Sequence, residues 1–580
     1  MRRPGRVPLA ATARVGPLAA ALLALAVGAV PTAAQQDTAH AGHHGMRHGP
    51  PPTEAASWRM PPMDMTMPML PGLMEAVPRT NPFLPGAGVD PLTLPAAAFR
   101  EVVDLADGDT LHLTAGLVRR TINGRTFVMY GFNGQYPGPL MRTARDATIV
   151  VRFTNETALP TTVHWHGVRL ENRFDGVPGV TQDPVQPGDS FDYRVHFRDA
   201  GIYWYHPHHR EDITQDLGLY GNMMVSSPDL AYYSPVNSEE VVMLDDILLD
   251  ETGLFPWGAE RATHALMGRF GNLMLLNGEP SWDLEVRRGD VVRFFFTNVA
   301  NTRVFNLSFE GARVKLVGSD VGLYEREAFV ESIVLAPAER YIVEVLFDRA
   351  GPVTLGNRIQ AIDHYRGTFV ERLDTLGTIQ VADVPTAESH REGFERLREN
   401  AAVTAEIDAY RAAFERAVDH ELEMDVEIGG GLPLPILQML AVDTFYFHPV
   451  EWNDAMPEMN YLSTGADVRW ILRDVATGKE NEDVDWRFRL DDVVKLRLRN
   501  EPTSLHPMHH PIHLHGQRFL VLERDGERNT NFVWKDTAVI PLGSTVDLLV
   551  EMSNPGDWML HCHISEHLET GMSLIFRVDP

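Results

Sequence analysis

The sequence predicts an all-β protein built from three consecutive Greek-key β-sandwich domains. Three observations predict it. A pattern of an acid, an alternating apolar strand and an asparagine occurs three times, at Asp146 to Asn155, Asp290 to Asn298 and Asp492 to Asn500. Each copy is followed by a second shared feature, because Gly188, Ala338 and Gly543 lie thirteen residues before Gly201, Gly351 and Gly556. Short strands with Gly/Pro turns and no long helical period fill the rest. Identical spacing at three places argues for one unit used three times.

The N-terminus stands apart from that globule. Arg2, Arg3, Arg6 and Arg14 precede an apolar stretch from Val15 to Val30, and small residues follow at Thr32, Ala33 and Ala34. Residues 1–34 read as a secretory signal peptide cleaved near Ala34, so the mature chain is expected in the periplasm or outside the cell. A membrane anchor is the alternative reading, and the apolar run is short for a span. Arg2-Arg3 leaves general secretion and twin-arginine export both open. Residues 35–94 form a His/Met/Pro-rich leader with His40, His43, His44, Met46 and His48, then Met60, Met63, Met65, Met67, Met69 and Met74 among prolines. Proline breaks regular structure, and thioethers prefer Cu(I). The leader reads either as a mobile copper-capture segment or as a compositionally biased tail.

The domains then run 95–232, 233–386 and 424–580. Between the last two, residues 387–423 are charged, with Phe394, Leu397, Ile407, Tyr410, Phe414 and Val418 at loosely helical spacing. They predict a linker of one or two surface helices.

Formal charge is −28, and loss of the four signal arginines with no acids takes it to −32. So acidic a chain excludes nucleic acid and anionic membrane surfaces as partners and favours cationic or neutral substrates. Stable membrane insertion is not expected.

Cys562 is the chain's one cysteine. Export permits disulfides, yet there is no partner to make one. Metal ligation is a reason for a lone thiol; a buried structural cysteine is the bland reading. Cys562 lies between His561 and His563, with His567 and Met572 five and ten residues on. On a strand successive side chains face opposite ways, so His561 and His563 share a face and Cys562 takes the other. His164-Trp165-His166-Gly167 and His206-Pro207-His208 are two more such pairs. In His510-Pro511-Ile512-His513-Leu514-His515-Gly516, His513 and His515 share one parity and His510 has the other. Eight paired histidines result. Cys562, His510, His567 and Met572 remain: a thiolate, two imidazoles and a thioether, the ligand set of a blue-copper electron-transfer centre.

The repeat says which units bind metal. His206 and His208 follow Gly201 by five and seven residues, as His561 and His563 follow Gly556; the middle unit has Gly356 and Arg358 there. The first and third units therefore supply the paired histidines across a shared interface. The middle unit reads as a spacer that lets them meet, with a possible part in shaping a substrate cleft.

The four motifs, HWHG, HxH, HPxHLHG and HCHxxxHxxxxM, are complete and in order. With them the chain resembles the multicopper oxidases, the laccase and cuprous-oxidase family, over residues 95–580. The resemblance implies three cupredoxin-like domains and four coppers per chain. It implies that Cys562, His510, His567 and axial Met572 hold a type 1 copper, that His164 and His513 hold a type 2 copper, and that His166, His206, His208, His515, His561 and His563 hold the type 3 pair. Electrons taken singly from a donor would reduce dioxygen to water without release of peroxide. His506-Pro507-Met508-His509 also spells HPxH but lacks LHG. His510 is therefore preferred as ligand, and His506 and His509 are expected near the rim or beside the ligands.

Dioxygen reduction consumes protons, so carboxylates should lie near. Asp175 matches a family position that tunes the type 2 water, with a plain turn aspartate as the alternative. Many bacterial members carry an acid directly after the last type 1 histidine; here Leu568 stands there and Glu569 follows, as in fungal laccases. Glu566 and Glu569 are the candidate proton relays, or else solvent-facing acids. A Met572 ligand predicts a low-to-middle potential, suited to phenols, aromatic amines or Cu(I). Met456 and Met459 either line the type 1 entrance or serve packing. The readings in competition are a laccase-like phenol oxidase, a cuprous oxidase for copper tolerance, and a copper-sequestering envelope protein. The complete ligand set counts against the last. A copper nitrite reductase would have two domains and no HCH run.

Overall fold

The computed structural model describes residues 83–580, apart from 260, 364–367, 430–449, 453–467, 505 and 507. The signal peptide, the leader residues His40 to Met74, and Met456 and Met459 lie outside the described residues.

Each repeated strand lies at the centre of a sheet. Thr148–Asn155, Asp290–Asn298 and Val493–Asn500 each have one parallel neighbour (Thr110–Ile122, Ser238–Ile247 and His420–Ile428) and one antiparallel neighbour (Ser190–His196, Arg340–Phe347 and Thr545–Glu551). A second sheet faces each of these, so the described chain forms three two-sheet units. This is the repeated all-β sandwich architecture that the spacing predicts, and it agrees with the cupredoxin-like domains that the resemblance implies.

The repeated asparagines have a physical role. Asn155 Nδ2 donates to the Leu159 and Val185 carbonyls, and Asn298 Nδ2 to those of Arg303 and Leu335. Asn500 Nδ2 donates to the Pro541 carbonyl in the same way. Each side chain thus satisfies loop carbonyls where the strand leaves its ladder. The residues opposite, Gly188, Ala338 and Gly543, have φ of +88°, +71° and +62°. The turn needs the left-handed region, which glycine enters at least cost, and the middle copy pays that strain at an alanine.

The acid of the first copy departs from the pattern. Asp290 and Asp492 accept the backbone N–H of Arg287 and Arg489 at 2.7 and 2.8 Å. Counted back from the asparagine, the equivalent residue in the first copy is Ala147. Asp146 sits one place earlier at φ 70°, where the other copies have Gly289 and Asp491, also at positive φ.

In the linker, Arg391–Glu395 and Ala401–Asp408 are helical, and Phe394 and Ile407 are buried while Leu397 is exposed. The strand His420–Ile428 already begins inside the expected linker range, because Leu422, Met424 and Val426 alternate inward. Among the described residues no helix is long and apolar enough to cross a membrane.

One helix of the middle unit, Arg261–Met267, enters the core of the third. Ala262, Ala265, Leu266 and Met267 share a hydrophobic cluster with Ile512, Leu560, Cys562 and Met572.

Candidate metal centres

Strand pairing sets the histidines against one another. In the first unit His164 lies opposite His206; in the third, Ile512 lies opposite Cys562 and His513 opposite His561. The parity read from the sequence therefore holds, and the two strand pairs face each other between the units. Among the described residues five groups of side chains bring their ligand atoms within 4.8 Å of one another: His166, His206 and His563; His208, His515 and His561; His164, His166 and His513; His164, Asp175 and His515; and His510, Cys562 and His567. All of these residues are buried.

The hydrogen bonds fix which nitrogen of each ring carries the proton. His164 Nδ1 donates to the Asp175 carbonyl (2.8 Å), His206 Nδ1 to that of Pro207 (2.8 Å), His513 Nδ1 to that of Asp536 (2.9 Å) and His561 Nδ1 to that of Cys562 (2.8 Å). His515 Nδ1 donates to Asp175 Oδ2 (2.8 Å), and His166 Nε2 to Asp536 Oδ1 (3.1 Å). A carbonyl or carboxylate oxygen only accepts, so the opposite nitrogen must present a lone pair. Those opposite nitrogens, Nε2 of His164, His206 and His513 and Nδ1 of His166, have no protein partner. Burial first, and then the neighbouring imidazoles, hold His206, His208, His513 and His515 well below the usual histidine range, and His561 at about 4. Neutral rings with converging lone pairs are what a cluster of soft-to-borderline cations requires. The residues fit copper.

The cysteine group follows the same logic. Cys562 Sγ lies 3.6 Å from His510 Nδ1 and 3.7 Å from His567 Nδ1, and accepts the Ile564 N–H at 3.4 Å. Burial pushes its thiol pKa up, so a thiolate there needs a cation beside it. His567 Nε2 donates to the Leu266 carbonyl of the middle unit at 3.3 Å, which turns the Nδ1 lone pair toward the sulfur. Met572 is buried in the same core, and its carbonyl accepts the Cys562 N–H.

Several neighbours carried no sequence signal. Trp470 stacks on His567 (4.0 Å, 29°), meets His510 edge-on (4.9 Å) and donates Nε1–H to the Ala265 carbonyl at 2.8 Å. Asp536 and Thr537 hold His166 and His513, whose rings stack at 3.7 Å. Glu211 is buried with both carboxylate oxygens unpartnered, Oε2 lying 3.8 Å from His206 Nδ1. Burial pushes its pKa well up. Its position three residues after His208 was the one available hint.

The expected acids separate. Asp175 is fully buried and touches both His164 and His515. Glu566 is buried, accepts weakly from Asn301 and Thr302, and is pushed up to about 8 by burial and then by Asp212 and Asp216. Glu569 is exposed, 3.9 Å from Arg210. Both line a cavity of about 400 Å³ with Phe83, Trp257, His264 and Ala265. His506 and His509 are buried, which removes the rim alternative and leaves the place beside the ligands. His509 Nε2 lies 3.4 Å from the Thr302 carbonyl of the middle unit, whose packing closes that edge.

Comparison with known proteins agrees with this geometry. Three family models described as multicopper oxidase match residues 116–229, 244–353 and 452–580. The chain is similar to the copper resistance protein A homolog of Pseudomonas syringae pv. tomato, 24% identical, covering 82% of this chain and 93% of that protein. It is similar to laccase-5 of Trametes versicolor, 26% identical, covering 82% and 90%. Among solved structures, the multi-copper oxidase of Pseudomonas thermotolerans is 26% identical with a TM-score of 0.59, covering 83% of this chain and all of that one.

Proposed function

The chain belongs to the multicopper oxidase family, and from that premise we propose that it is an exported, laccase-like oxidase. It takes single electrons from phenolic or aromatic amine donors and reduces dioxygen to water. Cys562, His510, His567 and Met572 would hold the type 1 copper. His164 and His513 would hold the type 2 copper, and His166, His206, His208, His515, His561 and His563 the type 3 pair. Copper held there supplies one-electron transfer at the first site and the binding and reduction of dioxygen at the other three.

The single observation that carries the reading is that Cys562 and its covalent neighbours His561 and His563 belong to different ligand groups. The donor side and the oxygen side are therefore joined through one stretch of backbone. Trp470 and the Leu266 carbonyl keep the His567 ring in place on the donor side. On the oxygen side, Asp175 orients His515 through its carboxylate and His164 through its carbonyl. The Glu566 carboxyl keeps its proton at neutral pH. With Glu211 beside His206 it forms the pair of buried acids that would carry protons inward.

The cavity lined by Glu566, the chain neighbour of His567, supports a small aromatic donor. At about 400 Å³ it falls within the range of small-molecule sites, and Trp257 gives it an aromatic wall.

Cuprous oxidation is the second reading, favoured by one observation. Phe83 exchanges two backbone hydrogen bonds with Trp257 (2.8 and 3.0 Å) and lines the same cavity. The later part of the leader, from Phe83 on, therefore lies at this wall. Met74 precedes Phe83 by nine residues, a reach of up to roughly 30 Å when extended.

Oxygen uptake by the copper-loaded protein, with a dimethoxyphenol and with Cu(I) as alternative donors, tests both. Phenol turnover without added copper supports the laccase-like reading. Strong Cu(I) turnover that falls on deletion of residues 36–75 supports the cuprous reading. No uptake with either donor sinks both and favours sequestration.

A further inference from the structure

The middle unit supplies none of the candidate ligands, yet its Arg340 reaches the second contact of an imidazole in the oxygen-side cluster. Arg340 is fully buried. Its Nη1 and Nη2 donate to Asp536 Oδ1 and Oδ2, both at 2.6 Å, in a two-pronged pair. Asp536 Oδ1 in turn accepts from His166 Nε2 at 3.1 Å and from the Thr537 hydroxyl at 2.9 Å. The remaining Arg340 donors are also spent: Nε on the Ile202 carbonyl of the first unit (3.1 Å), Nη1 on that of Ala338 and Nη2 on that of Asp320 (both 3.2 Å). One guanidinium thus touches all three units.

We propose that Arg340 is a positioning residue for the oxygen-side imidazoles: by clamping Asp536 it keeps the His166 proton on Nε2 and aims Nδ1 into the cluster. This rests on the reading that those imidazoles hold copper. Three observations support it. The same Asp536 accepts His513 Nδ1 on its backbone carbonyl, and Thr537 Oγ1 lies within 3.1 Å of both rings, so a shift of Asp536 moves His166 and His513 together. Asp320, which accepts the Arg340 N–H at 2.8 Å, also pairs with Lys535 at 3.0 Å, so the residues on both sides of the clamp are held too. Gly167 makes room for it: a Cβ there would meet Asp536 Oδ2 at 2.4 Å and Arg340 Nη2 at 2.6 Å. The glycine of the HWHG motif lets the ion pair lie directly against the ligand strand. The middle unit is then a working part of the oxygen site.

A planar fork is needed to hold both carboxylate oxygens, and lysine cannot supply one. The test compares wild type, Arg340→Lys and the double variant Arg340→Gln/Asp536→Asn, which removes both buried charges and keeps a foldable neutral pair. Copper affinity and the type 2 electron paramagnetic resonance signal are read on the oxygen side, and the blue thiolate band reports the donor side. The proposal expects a blue band like that of wild type in both variants. It also expects an altered type 2 signal and copper held about 10- to 100-fold more weakly at the oxygen side. Wild-type oxygen-side affinity and signal in the folded variants would overturn it and leave the copper reading intact. A wild-type protein with no oxygen-side copper would sink both.

Discussion

His515 and His561 face each other with their Nε2 atoms 3.0 Å apart, while each ring donates its other N–H, to Asp175 and to the Cys562 carbonyl. Two lone pairs at hydrogen-bond distance with no proton between them repel. A cation bound there turns that repulsion into ligation. His208 of the first unit belongs to the same group, so copper removal is expected to loosen the contact between the first and third units. At copper a hundred times its dissociation constant, each site adds about 2.7 kcal/mol to stability. Calorimetry of apo and loaded protein checks this; equal melting temperatures would contradict it.

Asp175 holds His515 through a carboxylate oxygen. Asp175→Asn is expected to weaken oxygen-side copper by about 10- to 100-fold while leaving the blue band in place. Competition with a copper chelator, followed at both sites, measures it. Equal loss at both sites would point to general unfolding instead.

The grouping of His510, Cys562 and His567 was legible because thiolate and imidazoles at fixed parity have few other uses. The repeat was legible because Asn155, Asn298 and Asn500 answer to a strand exit that each unit must satisfy. Arg340, Asp536 and Trp470 were silent. Their roles come from packing between elements far apart in sequence: Arg340 meets Asp536 across 196 residues, and Trp470 meets Ala265 across 205. The helix that covers His567 carries no spacing that foretells it, so the middle unit read as a spacer. For His506 and His509 the rim stayed open beside the place near the ligands, because the contact of His509 with the Thr302 carbonyl lies across 207 residues.

Glu566 gives a pH signature. Burial raises its pKa from 4.5 in the unfolded chain to about 8, so the folded state holds the proton more tightly. Its contribution is fully present below pH 4.5 and is lost as pH rises to about 8. Glu566→Gln is expected to flatten that slope and to make the apo protein relatively more stable at pH 8. Urea melts at pH 5 and pH 8 read the difference; an unchanged slope would refute it.

Trp470 presses on both imidazoles of the cysteine group. Trp470→Phe keeps a ring but loses the bond to the Ala265 carbonyl. The blue band and the type 1 reduction potential are expected to shift, with the type 2 signal unchanged. An unaltered potential would reduce Trp470 to filler.

The central claim is that donor electrons entering at Cys562 reduce dioxygen to water at the imidazole cluster. The most direct test is oxygen uptake by the copper-loaded protein with a dimethoxyphenol, with and without catalase, beside Cys562→Ser. The account predicts uptake that catalase does not change, since no peroxide is released, and none in Cys562→Ser. Peroxide accumulation, or undiminished uptake without the cysteine, would contradict it.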